Sequence, residues 1–243
     1  MSAASVSASK VCQQHCLANS TDCKDQIQNL VFFSVLDADN KSYEMGSEFG
    51  EGERILKECG INNLTIVRPT FLFSNFLIDC KNIKEKVCVT ELLLITKGCL
   101  CRPLGQNCIN IVSDHDVAEC ICQCLLGGAA QGSKTLCIGG KECVTMTDVC
   151  KNLTNKVGDL SVLLLTVIQL GKEIKYCDCS LEEFEKYIGG VWLSREGVQS
   201  YLGLMKFARD GGYNRKFDDY TTLLRKDPLS FQEMLQKEIE CFK

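Results

Sequence analysis

Histidine, proline and tryptophan are scarce in this sequence, at two, three and one among 243 residues. His15 and His115 lie far apart and neither sits in a recognisable motif, so no Ser/His/Asp hydrolase arrangement is supported. No C-x-x-C pair occurs among the 18 cysteines. Structural zinc sites use such tight pairs, and no metal site is expected. There is no surplus of basic residues. The formal charge is -4, and no basic patch interleaves with aromatics, which removes the electrostatic case for nucleic acid. Long apolar runs are missing too. The longest, SVLLLTVIQL from Ser161 to Leu170, is about half a membrane span. The opening MSAASVSASK is small and polar, without the apolar centre of a secretory signal. A cytoplasmic protein without membrane contact is expected.

A hydrophobic fraction of 45% is present, enough for a full-sized core. In a reducing compartment the cysteines are thiols. The close sets Cys99/Cys101, Cys120/Cys122/Cys124 and Cys177/Cys179 read as small hydrophobes standing in for alanine and valine.

Strands and helices alternate along the chain. Residues 8–24 read as a helix with a weak apolar stripe. The continuous apolar run at Leu30–Val35 reads as a strand covered on both faces, as in a parallel sheet. EFGEGERILKECG reads as a helix stopped at Gly60, residues 64–69 as a strand, and FLFSNFLIDCKNIKEK as a helix. INIV (109–112) is a strand that runs into Ser113-Asp-His-Asp116, a variant capping box. KTLCIGG and EIKYCDC are further strands. Thr145-Met-Thr-Asp148, Ser180-Leu-Glu-Glu183 and Ser230-Phe-Gln-Glu233 cap three more helices, each hydroxyl accepting from a free N–H of the first turn. This alternation predicts an α/β fold with a largely parallel sheet. The strands near Val31, Ile66 and Ile111 are expected to be neighbours running in one direction.

Two stretches imitate phosphate loops. Gly50-Glu-Gly52 lacks a third glycine and follows a polar loop. GGAAQGSKT, from Gly127 to Thr135, has its lysine one position late and follows a helix, the reverse of the required order. The carboxylate pairs Asp37/Asp39 and Asp218/Asp219 read as loop and cap residues.

Seven segments occur in series: VFFSVLDADN, EGERILKECG, LTIVRPTFLFSNF, PLGQNCINIVSDHDVAE, KTLCIGGKECVTMTDVCKNLTNKVG, YCDCSLEEFEKYI and GGYNRKFDDYTTLLRKDPLSFQEML. Together they resemble the NmrA-like branch of the atypical short-chain dehydrogenase/reductases, over most of residues 27–235. The resemblance implies an incomplete Rossmann-type, mostly parallel sheet flanked by helices, with a small C-terminal α/β subdomain. Residues 27–243 would form this domain behind a weakly patterned segment, 1–26. It implies NADP or NAD as cofactor. Ser34 falls at the carboxyl end of the family's fourth strand, and Arg68, Pro69, Thr70 and Phe71 match the segment near the nicotinamide end.

Three departures bear on function. The sequence shows no strand followed by G-x-x-G-x-x-G, the turn through which helix N–H groups hold a pyrophosphate. The family's reductase-type lysine falls close to Phe49, and Tyr43 is followed four residues later by Ser47, so the Tyr-x-x-x-Lys pair is missing and the catalytic residues are unknown. The stretches 87–97 and 158–170 read as insertions against the family pattern, or as translated non-coding sequence. Three readings stand open: a cofactor-responsive regulator or weak reductase with impaired dinucleotide binding and a protein partner; an NAD(P)H-dependent oxidoreductase of a small carbonyl or quinone; and a remnant that binds no dinucleotide and acts through protein contacts alone.

Overall fold

A computed structural model describes residues 27–39, 43–76, 99–127, 132–157, 175–188 and 195–240. The helix read at 8–24 and the stretches 87–97 and 158–170 lie outside these residues. The strands are β1 (Leu30–Phe33), β2 (Leu64–Pro69), β3 (Phe71–Leu72), β4 (Cys99–Arg102), β5 (Ile109–Val112), β6 (Lys134–Ile138), β7 (Cys143–Val144) and β8 (Lys175–Asp178). The helices are α1 (Glu44–Glu58), α2 (Asp114–Leu125), α3 (Met146–Val157), α4 (Leu181–Ile188), α5 (Arg195–Arg209), α6 (Asp219–Leu224) and α7 (Phe231–Glu240). One turn of 3-10 helix spans Phe73–Phe76. The helix expected to begin at Phe71 is therefore strand and 3-10 turn in its described part.

The capping sequences form as read. Ser180 and Glu183 exchange hydrogen bonds, Glu183 N–H to Ser180 Oγ at 3.1 Å and Ser180 N–H to Glu183 Oε2 at 2.9 Å. Thr145 with Asp148 and Ser230 with Glu233 do the same. Ser113 accepts from His115 N–H at 3.1 Å. Each box satisfies first-turn donors that the helix itself leaves unpaired. Gly60 ends the α1 region at φ +70°, the left-handed position that glycine adopts without strain.

The main sheet has the order β1-β2-β6, all parallel. A second sheet, β3-β5-β7, pairs β3 with β5 in parallel and β5 with β7 antiparallel. β4 and β8 form a parallel pair. This corrects one expectation. The strands at Val31 and Ile66 are parallel neighbours, but Ile111 faces Phe71 in the other sheet. Physically, the chain leaving β2 changes partner at Thr70: Thr70 N–H still bonds Ile138 O at 2.9 Å, while Phe71 and Leu72 pair with Ile111 and Val112. β1 also differs from its reading. It is half-buried rather than covered on both sides, because among the described residues only β2 pairs with it.

Alternation along β1 and β2 sorts their side chains into two layers. Leu30, Phe32, Leu64 and Ile66 pack with Ile55 and Leu56 of α1. Val31 and Val67 face the other way, into a cluster with Val117 and Cys120 of α2 and Tyr220 of α6. A larger core joins Phe71, Phe73, Ile109 and Ile111 to Met146, Phe184, Met205, Tyr213, Phe231 and Met234, seating helices α3, α4, α5 and α7 over the carboxyl side.

Carried one step further, the same alternation puts Ser34 and Arg68 side by side on the α1 face. Glu53 of α1 lies over both. Its carboxylate accepts from Ser34 Oγ at 2.5 Å, from Arg68 Nε at 2.8 Å and from an Arg68 terminal nitrogen at 2.7 Å. The Glu53 side chain is 2% exposed and that of Arg68 10%, so this is a buried, bidentate ion pair. Burial alone would raise the Glu53 carboxyl, but the hydrogen bonds from Arg68 and Ser34 outweigh it and hold its pKa below the ordinary glutamate value.

Glu53→Ala leaves the Arg68 cation buried with its principal partner gone and should destabilise the protein by about 3–5 kcal/mol in urea unfolding. Glu53→Leu combined with Arg68→Met should recover most of that loss. The pH dependence has a definite sign. Because the folded pKa is depressed, the pair's contribution is complete above the unfolded value of about 4.3 and is lost as pH falls through the lower folded value. The stability gap between the native protein and Glu53→Ala should therefore be flat near neutrality and close below about pH 4.

Candidate functional site

The carboxyl ends of β1, β2 and β6 open toward one region, where an α/β sheet ordinarily receives ligands. The five residues read from the sequence, Ser34, Arg68, Pro69, Thr70 and Phe71, all lie there and are all buried. Ser34 and Arg68 belong to the ion-pair cluster with Glu53. Pro69 closes β2 opposite Ile138. Phe71 meets the Tyr213 ring edge-on, with centroids 5.6 Å apart. Thr70 Oγ1 donates to Asn110 Oδ1 at 3.0 Å.

Asn110 is the hub of this floor, and sequence reading did not single it out. Its side-chain oxygen also accepts from Gly140 N–H at 2.7 Å, and its amide donates to Gly140 O at 3.1 Å. Its backbone N–H donates to Tyr213 O at 2.9 Å. One fully buried amide thus joins β5, the end of β2, the turn after β6 and the segment after α5. Gly140 is required by the close approach: a Cβ there would lie 1.8 Å from Ile111 O. The signal available beforehand was the Gly139-Gly140 pair at a strand end, which marks close backbone contact but names no partner.

The rim is made by the loop after β1. Asp37 adopts φ 54°, unusual for a residue with a side chain. Its carboxylate accepts from Arg215 at 2.7 Å, across most of the chain, and Asp39 accepts from Arg68 at 3.0 Å. The Arg215 guanidinium also sits 5.7 Å from the Phe217 ring centroid. Arg215 was not found from sequence, since a lone arginine in a polar stretch carries no pattern. Asp219, expected to be a cap residue, accepts from Cys137 N–H at 2.7 Å and so ties α6 to β6.

Acid–base capacity here is small. Tyr43 donates its hydroxyl to Leu36 O, and its ring stacks on Phe207 with centroids 4.6 Å apart. Burial, reinforced by the Asp37 carboxylate, raises its pKa far above that of a free phenol, so it stays protonated. Phe49, near which the resemblance places the family's lysine, lies ring to ring with Phe32 at 6.2 Å. The donors of Ser34, Arg68 and Thr70 are engaged within the protein.

His115, Asp116 and Glu119 are the one cluster of potential metal ligands among the described residues. Its charges are already answered. Glu119 accepts from Lys226 at 2.7 Å, Asp116 from Leu229 N–H at 2.8 Å, and the Tyr220 hydroxyl bridges the two carboxylates. The cluster straps the C-terminal segment onto α2. No described helix is long and apolar enough to cross a membrane.

No family model matches the chain. It is 21% identical over 216 residues to the prestalk A differentiation protein A of Dictyostelium discoideum, covering 88% of this chain and 62% of that protein. The chain thus spans a little under two thirds of the length of the curated relative it matches. Among solved structures it is similar to an NADPH-dependent quinone oxidoreductase from Escherichia coli, with a TM-score of 0.73 at 17% identity over 95% of this chain and 73% of that one. It is similar to a nucleoside-diphosphate-sugar epimerase from Staphylococcus aureus, with a TM-score of 0.67 at 21% identity over 90% and 69%. The triphenylmethane reductase of Citrobacter sp., solved with NADP(H), superposes with a TM-score of 0.67 at 13% identity over 91% and 69%. With its parallel β1-β2-β6 sheet and helices on both faces, this chain has the Rossmann-type fold of these reductases and epimerases, the fold that the NmrA-like resemblance implies.

Proposed function

We propose that this chain is an NAD(P)-linked, NmrA-like protein that works as a cofactor-responsive regulator and not as an efficient catalyst, and that the sequence as given binds the dinucleotide weakly. The observation that carries this reading is the state of the polar groups at the carboxyl ends of β1 and β2. Ser34 and Arg68 are consumed by Glu53, Thr70 by Asn110 and the Tyr43 phenol by Leu36 O. Phe49 stands near where the resemblance places the family's lysine. Hydride chemistry belongs to the nicotinamide itself, and the protein's share would be to orient it. In this reading Ser34, Arg68, Pro69, Thr70 and Phe71 shape the floor beneath the nicotinamide end, with Arg68 acting through Asp39 to hold the rim.

The pyrophosphate grip is the missing part. A helix N-terminus behind a glycine turn supplies N–H donors and a favourable dipole, and the sequence contains no such turn after a strand. In this reading a strand carrying one would lie beside β1, one of the two edge strands of the main sheet among the described residues. The curated relative is named for differentiation, not for a reaction, and in this reading the chain acts through a protein partner in the cytoplasm. A second reading, an NADPH-dependent reductase of a quinone or small carbonyl, draws support from the structurally similar quinone oxidoreductase and dye reductase.

NADPH fluorescence titration, with quinone turnover measured in parallel, separates these readings. The chain alone should show no saturable binding below the millimolar range. Fusion behind a strand–glycine turn–helix unit of the G-x-x-G-x-x-G type should bring binding to the micromolar range without quinone-dependent NADPH oxidation. A difference of that size is about 4 kcal/mol. Micromolar affinity in the chain alone would overturn the weak-binding claim, and steady turnover by the fusion would favour the reductase.

A further inference from the structure

The antiparallel pairing of β5 with β7 sets Asn110 opposite Cys143 and Ile109 opposite Val144. Side chains two apart on a strand share a face. Cys108, just ahead of β5, therefore lies on the same face as Asn110 and diagonally across from Cys143. Both thiols reach the segment that follows α5. The Cys108 thiol donates to Asn214 Oδ1 at 2.8 Å, and the Cys143 thiol donates to Arg215 O at 3.9 Å. The neighbouring Cys108 is also among the groups that raise the Cys143 thiol. Neither is fully buried.

We propose that Cys108 and Cys143 form a reversible dithiol/disulfide site that takes peroxide as oxidant and a trivalent arsenical as a bridging ligand. Among the described residues Cys101 and Cys177 also face each other across two strands, but Cys108 and Cys143 are the pair whose thiols both reach the segment after α5. Cys120 and Cys124 lie one turn apart on α2 but are both buried, out of reach of a soluble oxidant. Cys177 and Cys179 follow one another along one strand end and are held there by β8. Cys108 and Cys143 come from separate strands, are partly open, and converge on two consecutive residues.

The chemistry balances with hydrogen peroxide. Burial raises the Cys143 thiol above its ordinary range, against which the Asn110 amide and Lys216 act. In this scheme Cys108 makes the first attack. Its thiolate displaces one peroxide oxygen, breaking the O–O bond and giving a sulfenic acid and hydroxide. The Cys143 sulfur then attacks the Cys108 sulfur, the S–S bond forms, and the sulfenic oxygen leaves as water with the Cys143 proton. Two thiols and one peroxide yield one disulfide and two waters. Dithiothreitol reverses the step by thiol–disulfide exchange.

The consequence is mechanical. The bridge would lock β5 to β7 beneath residues 214–217. That segment carries Arg215, which holds Asp37 on the rim of the candidate site. Oxidation would thus tie the two strands together under the Asn110 floor while removing the S–H donors to Asn214 Oδ1 and Arg215 O. The inference does not rest on dinucleotide binding, and its failure would leave the proposed function untouched.

The test uses the full chain, reduced, then treated with a small excess of peroxide and quenched with N-ethylmaleimide. Non-reducing peptide mapping should give a Cys108–Cys143 link that dithiothreitol removes. The melting temperature should rise by about 5–10 °C on oxidation, as expected for closing a loop of this length in a domain of this size. Cys108→Ser and Cys143→Ser should each abolish that rise, while Cys122→Ser, at an exposed thiol, should keep it. If either serine variant fails to fold, phenylarsine oxide on the native chain decides: it should protect both cysteines from maleimide together. Independent labelling of the two, a link from Cys108 to a different cysteine, or a thermal rise that survives in Cys143→Ser would overturn the proposal.

Discussion

The Glu53 carboxylate is the constraint on which the rest of this architecture depends. It is one residue of α1, yet it receives Ser34 from the end of β1 and one edge of the Arg68 guanidinium, Nε and a terminal nitrogen, from the end of β2. Removing two ions from water costs several kcal/mol each, and only near-ideal geometry and full hydrogen bonding offset it. Here the geometry is bidentate, and the hydroxyl of Ser34 fills a further lone pair. The cluster therefore contributes specificity of placement more than net stability. It sets the height of α1 over the sheet and the register in which β1 and β2 end. Through Arg68 it also places Asp39 on the rim. A hydrophobic contact at the same spot would tolerate a slip that this pair does not.

A second constraint acts one layer away. The chain leaving β2 moves from one sheet to another at Thr70, and such a transfer strands backbone and side-chain polar groups in the interior. Asn110 answers them. It bonds Thr70, both polar groups of Gly140, and Tyr213 from a fully buried position. Buried polar networks of this kind are stable only when every member is satisfied. The two hubs divide the labour: Glu53 fixes helix to sheet, and Asn110 fixes the main sheet to the C-terminal core.

Much of the scaffold was legible in the sequence because its signals are local. Leu64–Pro69 and Ile109–Val112 are strands where their apolar runs place them, and the serine and threonine boxes start the helices they announce. What escaped is non-local or weakly patterned. α5 carries Gly197 and Gly203 in a run of mixed polarity, and each glycine lowers helix propensity by about 1 kcal/mol, so its helical character comes from tertiary burial. β3 and β7 are two residues each, too short for periodicity to register. The change of sheet at Thr70 depends on partners 40 residues away. The five candidate site residues lie together at the carboxyl ends of β1 and β2, but the sequence does not show what Arg68 holds. Only the position of Glu53, fifteen residues earlier on a helix, shows what the guanidinium holds.

That outcome shapes how the region is read chemically. A ligand recruiting Arg68 would have to displace a buried carboxylate held by a bidentate pair, leaving Glu53 charged in a poorly solvated place. Charge-assisted contacts made by the ligand would need to exceed those they replace, and an exposed phosphate has water as an alternative partner. The accessible charges are instead Asp37, Asp39 and Arg215, which lie on the rim and are partly hydrated. Selectivity in this fold would therefore arise at the loop after β1 and at the 214–217 segment, while Ser34, Arg68 and Thr70 keep the floor in shape. A protein built this way has a Rossmann-type frame with its polar interior committed to structure, and any binding at this end of the sheet would draw its energy from elements that meet the rim.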